Sequence, residues 1–188
     1  SITPVLTALG VGGLAVALAL QDTLANVFAG VYLLAARQIK PGDFVRIESG
    51  EEGYIADINW RSTSVRTLFD TMVIVPNAKL ASAIVTNFDL PARSMLLRVP
   101  VGVEYDADLD HVERVTVAVA QETIEELTGH PPDEAPLVFL QAFGEFSLNL
   151  IVLLRVRDFF DQYRVRHVFM KKLLQRYRAE GIGIPFPV

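Results

Sequence analysis

Gly10-Val11-Gly12-Gly13-Leu14-Ala15-Val16-Ala17-Leu18-Ala19-Leu20-Gln21-Asp22-Thr23-Leu24-Ala25-Asn26 is the stretch that decides how this chain is read. It holds one charged side chain, Asp22, which is also the only one in residues 1–36, although the 188-residue chain carries 17 Lys+Arg and 22 Asp+Glu. Outward from it, residues 5–20 are uncharged before the polar triplet Gln21-Asp22-Thr23, and residues 24–36 are uncharged after it. A single helix from Val5 to Ala36 would run roughly 48 Å, against a hydrocarbon core of about 30 Å. It has to tilt, kink or leave the membrane partway, and the triplet is the natural place for a break. Arg37 and Lys40 at its end predict a cytoplasmic location for the residues beyond them.

The composition excludes several classes. With no Cys there is neither a disulfide framework nor a thiolate metal site, and three scattered histidines (His111, His130, His167) argue against a metal centre. A formal net charge of −5 argues against general nucleic-acid binding. The apolar start at Ser1 without an initiator Met predicts a fragment preceded by further residues. A secretory signal fits poorly, because no basic region comes before the apolar run.

At 100° per residue, Thr7, Val11, Leu14, Leu18, Gln21 and Ala25 share one stripe of the helix. Gly10, Gly13 and Ala17 lie on one flank, Ala8, Gly12, Ala15 and Ala19 on the other, and Leu9, Val16 and Leu20 on the far side. Two flanks of small residues allow close approach by a neighbouring helix on each side at once. Such packing predicts a ring of helices with the Leu stripe facing its axis. A solitary anchor or core helix is the alternative. The three glycines weigh against it, because each costs roughly 1 kcal/mol of helix propensity and needs a packing reason.

Pro41-Gly42 is expected to end this helix. Alternating segments come next at Asp43–Ile47, Tyr54–Trp60, Ser62–Thr67 and Met72–Val75, so residues 41–90 read as a small antiparallel β domain. Its fifty or so positions are marginal for an independent core, a shortage that assembly with other copies would relieve. The polar run Ser62-Thr63-Ser64 is read as an edge strand, not as a catalytic serine. Beyond Pro91 the order is strand (Met95–Val103), helix (Leu109–Leu127), strand (Leu137–Phe143), strand (Phe146–Val156) and helix (Gln162–Ala179). This βαββα order predicts an α+β unit with both helices on one face of an antiparallel sheet. Asp108 is the expected N-cap of its first helix. Val112, Val115, Val119 and Ile124 mark the buried side of that helix, and Val165, Val168, Phe169 and Leu173 that of the second.

The two helical regions differ in charge: residues 104–126 hold eight acids and one base, residues 161–180 six bases and two acids. Solvated faces explain this. The alternative is that unlike surfaces meet between subunits or filter ions entering a vestibule. No phosphate-binding Gly loop, metal-ligand spacing or nucleophile triad is visible, so the chain is expected to be a non-enzyme without cofactors.

The stretch from Gly10 to Asn26, together with Ala29-Gly30, Lys40-Pro41-Gly42-Asp43 and Val73-Ile74-Val75-Pro76-Asn77-Ala78-Lys79-Leu80, resembles the small-conductance mechanosensitive channel (MscS) family. The likeness covers about residues 5–90. Residues 91–188 match in element order and in the closing Gly181-Ile182-Gly183-Ile184-Pro185-Phe186-Pro187. The resemblance implies a membrane α-helix followed by α+β. In it, residues 1–40 are a kinked pore-lining transmembrane helix without the helices that precede it, 41–90 a Sm-like β domain and 91–188 a ferredoxin-like α/β domain. It further implies a multi-pass protein of the inner membrane, assembled as a homoheptamer with its C-terminal domains forming a cytoplasmic vestibule. The family's pore-closing leucines fall on Leu14 and Leu18. Its small packing positions fall on Ala8, Gly10, Gly12, Gly13, Ala15, Ala17 and Ala19. Its hinge and pore-mouth positions fall on Gln21, Asp22 and Gly30. Asp22 stands where the family commonly has Gly. It is read as an N-cap of the following half-helix, with a ring of carboxylates that tilts permeation toward cations as the alternative.

The resulting expectation is a channel opened by membrane tension that releases ions and small solutes under hypo-osmotic stress, with membrane lipids and further copies of the chain as partners. A membrane-anchored oligomeric scaffold is the rival from another class. A Sm-like RNA-binding ring is disfavoured, because residues 41–90 lack a basic, aromatic-rich strand surface.

Overall fold

The structure, a computed structural model, describes residues 2–185. Ser1 and the Phe186 and Pro187 of the closing motif lie outside the described residues. The chain divides between Leu90 and Pro91 into two units.

The first unit opens with helix α1, Thr3–Ala36, with Pro in its first turn and Arg37 in the left-handed conformation (φ 52°) at its C-cap. Helical structure runs without interruption through Gln21-Asp22-Thr23, where a break was expected. Polar side chains there leave the backbone bonding intact, so any bend at this point has to be accommodated inside a continuous helix. Termination falls at Arg37, ahead of Pro41-Gly42, and Gly42 (φ 94°) instead turns the chain into the sheet.

Strands β1 (Phe44–Ile47), β2 (Glu52–Ile58), β3 (Ser62–Thr67) and β4 (Met72–Pro76) come next, then the short helix α2 (Asn77–Ser82) and strand β5 (Val85–Asn87). They form an antiparallel sheet in the order β4-β3-β2-β1-β5. Ser62-Thr63-Ser64 therefore belongs to an interior strand, contrary to the edge-strand expectation. Its polar character is satisfied inward, where the buried Thr63 hydroxyl donates to Asn77 Oδ1 at 2.9 Å. The core joins Val45, Ile47, Ile55, Ile58, Val65, Val75 and Leu80 to Leu33 of α1 and to Ile39. The last turns of α1 thus share the β domain's core and enlarge it.

The second unit runs β6 (Met95–Val103), α3 (Leu109–Thr128), β7 (Leu137–Phe143), β8 (Leu148–Val156) and α4 (Asp161–Ala179), with sheet order β6-β8-β7, all antiparallel. Asp108 caps α3 by accepting from the N–H groups of Asp110 and His111, and Gly129 (φ 79°) closes its far end. The central strand β8 alternates between buried and half-buried positions, as expected of a strand with helices on one face. Val112, Val115, Val119 and Ile124 of α3 are buried in one cluster with Val165, Phe169, Leu173 and Tyr177 of α4. Val168 is half-buried, and Tyr177 was not foreseen. The tail returns to this unit, with Ile182 N–H donating to Tyr177 O at 2.9 Å and Glu104 N–H to Gly183 O at 3.1 Å.

Candidate functional site

The first two-thirds of α1 is left open in the single subunit. Every residue from Pro4 to Ala25 is exposed, including Leu14 at 62% and Leu18 at 63%. Among the described residues α1 is the one helix long and apolar enough to cross a membrane. Leu14 and Leu18 are separated by one helical turn and lie on one face. A Cβ built on Gly10, Gly12 or Gly13 would meet no atom within 4 Å, so both small-residue flanks are open in the single subunit. Ala8, Ala15, Ala17, Ala19, Gln21 and Asp22 are likewise exposed.

Asp22 lies inside the helix, with no helix start beside it to cap. The N-cap reading is therefore corrected. What it contributes locally is its backbone carbonyl, which accepts from Asn26 Nδ2 at 2.8 Å.

Farther along, α1 is clamped to the β domain. Gly30 is buried, and a Cβ there would stand 2.6 Å from Asn77 Nδ2, 3.1 Å from Trp60 O and 3.2 Å from Asn59 O. Only a residue without a side chain lets the helix approach the β2–β3 loop so closely. Asn77 is fully buried and organises the contact: its Nδ2 donates to Asn59 O at 2.7 Å, its Oδ1 accepts from Thr63, and its N–H donates to Arg61 O at 3.0 Å. Next to it, Ala78 N–H donates to Asn26 Oδ1 at 3.0 Å. Asn26 and Asn77 were quoted in the sequence only within the stretches that carry the resemblance, and Thr63 only as part of a polar run; the anchoring role of these residues and of the backbone at Asn59–Arg61 was not read there. The available signal was an Asn isolated in an apolar helix and a Pro-Asn pair ahead of a short helix.

In the second unit, opposite charges of the two helices meet within one subunit. Arg176 reaches both carboxylate oxygens of Glu122 at 3.0 Å, and Lys172 pairs with Glu126. These groups are part-exposed, so such pairs contribute little net stability, about 0–1 kcal/mol each.

The described chain is thus a membrane-length helix that leads into an antiparallel β domain and then an α+β unit. Residues 22–90 match the family model for the mechanosensitive ion channel β-domain, and residues 97–184 match that for the mechanosensitive ion channel MscS C-terminal region. The chain belongs to the MscS family. It is 34% identical over 190 residues to the small-conductance mechanosensitive channel MscMJ of Methanocaldococcus jannaschii, a match that covers 99% of this chain and 52% of that protein. It is 31% identical over 197 residues to the large-conductance mechanosensitive channel MscMJLR of the same organism, covering 99% and 52% respectively. The chain thus spans about half the length of these curated relatives. The crystal structure of Helicobacter pylori MscS in its closed state superimposes with a TM-score of 0.83 at 28% identity, covering 100% of this chain and 72% of that one.

Proposed function

We propose that this chain forms the pore-lining helix and cytoplasmic part of a tension-gated channel of the inner membrane, which releases ions and small solutes under hypo-osmotic stress. In this reading residues 1–40 line the pore, 41–90 are a Sm-like β domain and 91–188 a ferredoxin-like domain, assembled as a homoheptamer with both domains in the cytoplasm. The observation that supports it is the division of α1, which is wholly exposed and apolar around Leu14 and Leu18 yet locked to the β domain from Asn26 to Leu33.

In the closed state, rings of Leu14 and Leu18 form two successive apolar collars. A constriction of this kind shuts by excluding water, because an ion entering it loses hydration without compensation. The small residues Ala8, Gly10, Gly12, Gly13, Ala15, Ala17 and Ala19 let neighbouring helices slide past one another, while Gln21, Asp22 and Gly30 mark the mouth and the bend. Tension favours the state with the larger in-plane area, so it shifts a two-state balance by differential energy and needs no bound ligand. The lipid bilayer and other copies of the chain are the partners. No catalytic group, cofactor or nucleic acid enters the mechanism.

Recording from membrane patches that contain the full-length protein, under graded suction, tests the proposal. Current that rises with tension supports it. A protein that stays monomeric in detergent and silent in patches overturns it in favour of an anchored scaffold.

A further inference from the structure

Asp22 is the one charged side chain in residues 1–36, and an ionised carboxylate in a membrane-length helix calls for a cap, a counter-charge or water. A cap is excluded by the uninterrupted helix on both sides of it. Within the described residues of the subunit there is no counter-charge either. Among the described residues the carboxylate makes no hydrogen bond or ion pair, and the next basic residue along α1 is Arg37, about 22 Å farther at 1.5 Å per residue. Water remains.

The position of Asp22 on the helix indicates which water. Leu14, Leu18 and Asp22 succeed one another at four-residue intervals, a ridge that drifts about 40° per step, so Asp22 lies at the edge of the leucine stripe, between it and the Ala15 flank and next to Gln21 on the stripe. Asp22 lies about 6 Å beyond Leu18 along the axis. Gln21 and Thr23 beside it are polar and exposed, which completes a hydrated belt directly after the apolar collars.

We infer that Asp22 sets the charge preference of the open pore and favours cations, through one carboxylate per subunit on the cytoplasmic side of the Leu18 collar. The inference rests on the pore reading of α1 given above. A ring of like charges in a narrow mouth with low-dielectric walls focuses its field, raises the local cation concentration and repels anions. The residue acts on permeating ions and holds none of them tightly, since a single carboxylate per subunit offers no ligand set.

The test is the reversal potential of tension-activated current from the full-length protein in asymmetric KCl. The wild type is expected to reverse toward the potassium equilibrium potential. Asp22→Asn and Asp22→Ser should each lower the potassium-to-chloride permeability ratio at least about twofold, Asp22→Lys should invert it, and Asp22→Glu should keep it. Recording two neutral variants keeps the result independent of how well either one assembles. A wild type without cation preference overturns the inference, as does a preference unchanged in a neutral variant that still opens under tension. A wild type with no tension-activated current fails differently, because it removes the pore reading itself.

Discussion

The side-chain carbonyl of Asn26, on the candidate pore helix, accepts the backbone N–H of Ala78 at 3.0 Å, across 52 positions of sequence. Helix α2 begins after Pro76, which supplies no side-chain cap of its own. Asn26 therefore caps α2 from another helix, and the same amide holds the Asp22 carbonyl through its Nδ2. Asn26→Ala should cost about 0.5–2 kcal/mol, the usual loss for removing an N-cap. Gly30→Ala should cost about 1–3 kcal/mol by overpacking, because its methyl would meet Asn77 Nδ2 and two backbone carbonyls. Both appear as a lower thermal midpoint of the full-length protein in detergent. An Ala at position 30 that leaves the midpoint unchanged would mean that the helix is not seated on the β2–β3 loop.

In the second unit, Thr116 and Tyr177 predict unequal effects from removing the two ends of one bond. The Thr116 hydroxyl donates to Val112 O at 2.6 Å, so in the 2.5 Å contact between the two hydroxyls Tyr177 is the donor. Thr116→Val leaves the buried phenol unpaired and should cost about 1–3 kcal/mol, whereas Tyr177→Phe leaves Thr116 satisfied and should cost less. Burial pushes the Tyr177 phenol above its ordinary range, with the bond to Thr116 opposing the shift. The stability linked to this group is intact below the ordinary tyrosine pKa of about 10 and is lost as pH rises from there through the folded value. Denaturant unfolding across that window should show a steeper fall for the wild type than for Tyr177→Phe.

What could be read from sequence separates along the same line as these interactions. Ser62–Thr67 and Met95–Val103 carry a period-two alternation that is complete within the segment, and each strand forms over those residues. The order of the second unit and the Asp108 cap are equally local. Helix α2 and strand β5 escaped, since six and three residues are too short to show a period and both exist through partners elsewhere. Leu80 fills the β-domain core, and Val85 and Asn87 pair with Ile47 and Val45. The misreading of Ser62-Thr63-Ser64 has the same origin, because the group that satisfies Thr63 lies fourteen residues away. Asp22 was misread for the opposite reason. A polar triplet looks like a helix boundary locally, but nothing in it breaks the backbone bonding. The leucine row and the small flanks need only spacing to be seen, whereas the anchorage at Asn26 and Gly30 needs the fold.

The open flanks around Gly13 and Ala15 lead to a prediction about gating. No atom stands within 4 Å of a Cβ placed on Gly13, and Ala15 is exposed, so a Val at either position fits the isolated subunit without strain. An effect of Gly13→Val or Ala15→Val must therefore come from neighbouring helices. Each variant should raise the suction needed to open the channel relative to the wild type in matched patches. Thresholds unchanged in both would count against a ring packed on two small-residue flanks.

The gate itself is tested by comparing two leucines that are equally apolar and both exposed in the subunit but face different ways. Leu18 lies on the row with Leu14, and Leu9 lies on the far side of the same helix. Closure in this mechanism depends on two apolar collars that exclude water. Leu18→Ser wets the lower collar and removes Leu contacts that exist mainly in the closed state. The open state loses less, since those side chains have already separated. The closed state is therefore selectively destabilised, and Leu18→Ser should open at lower tension and slow the growth of cells that express it. Leu9→Ser changes the same chemistry on a surface turned away from the axis, so it should affect assembly or lipid contact without a leak. Growth rates and patch thresholds at matched expression decide the matter. Equal leak from both variants would show that the row through Leu14 and Leu18 is not what closes the pore.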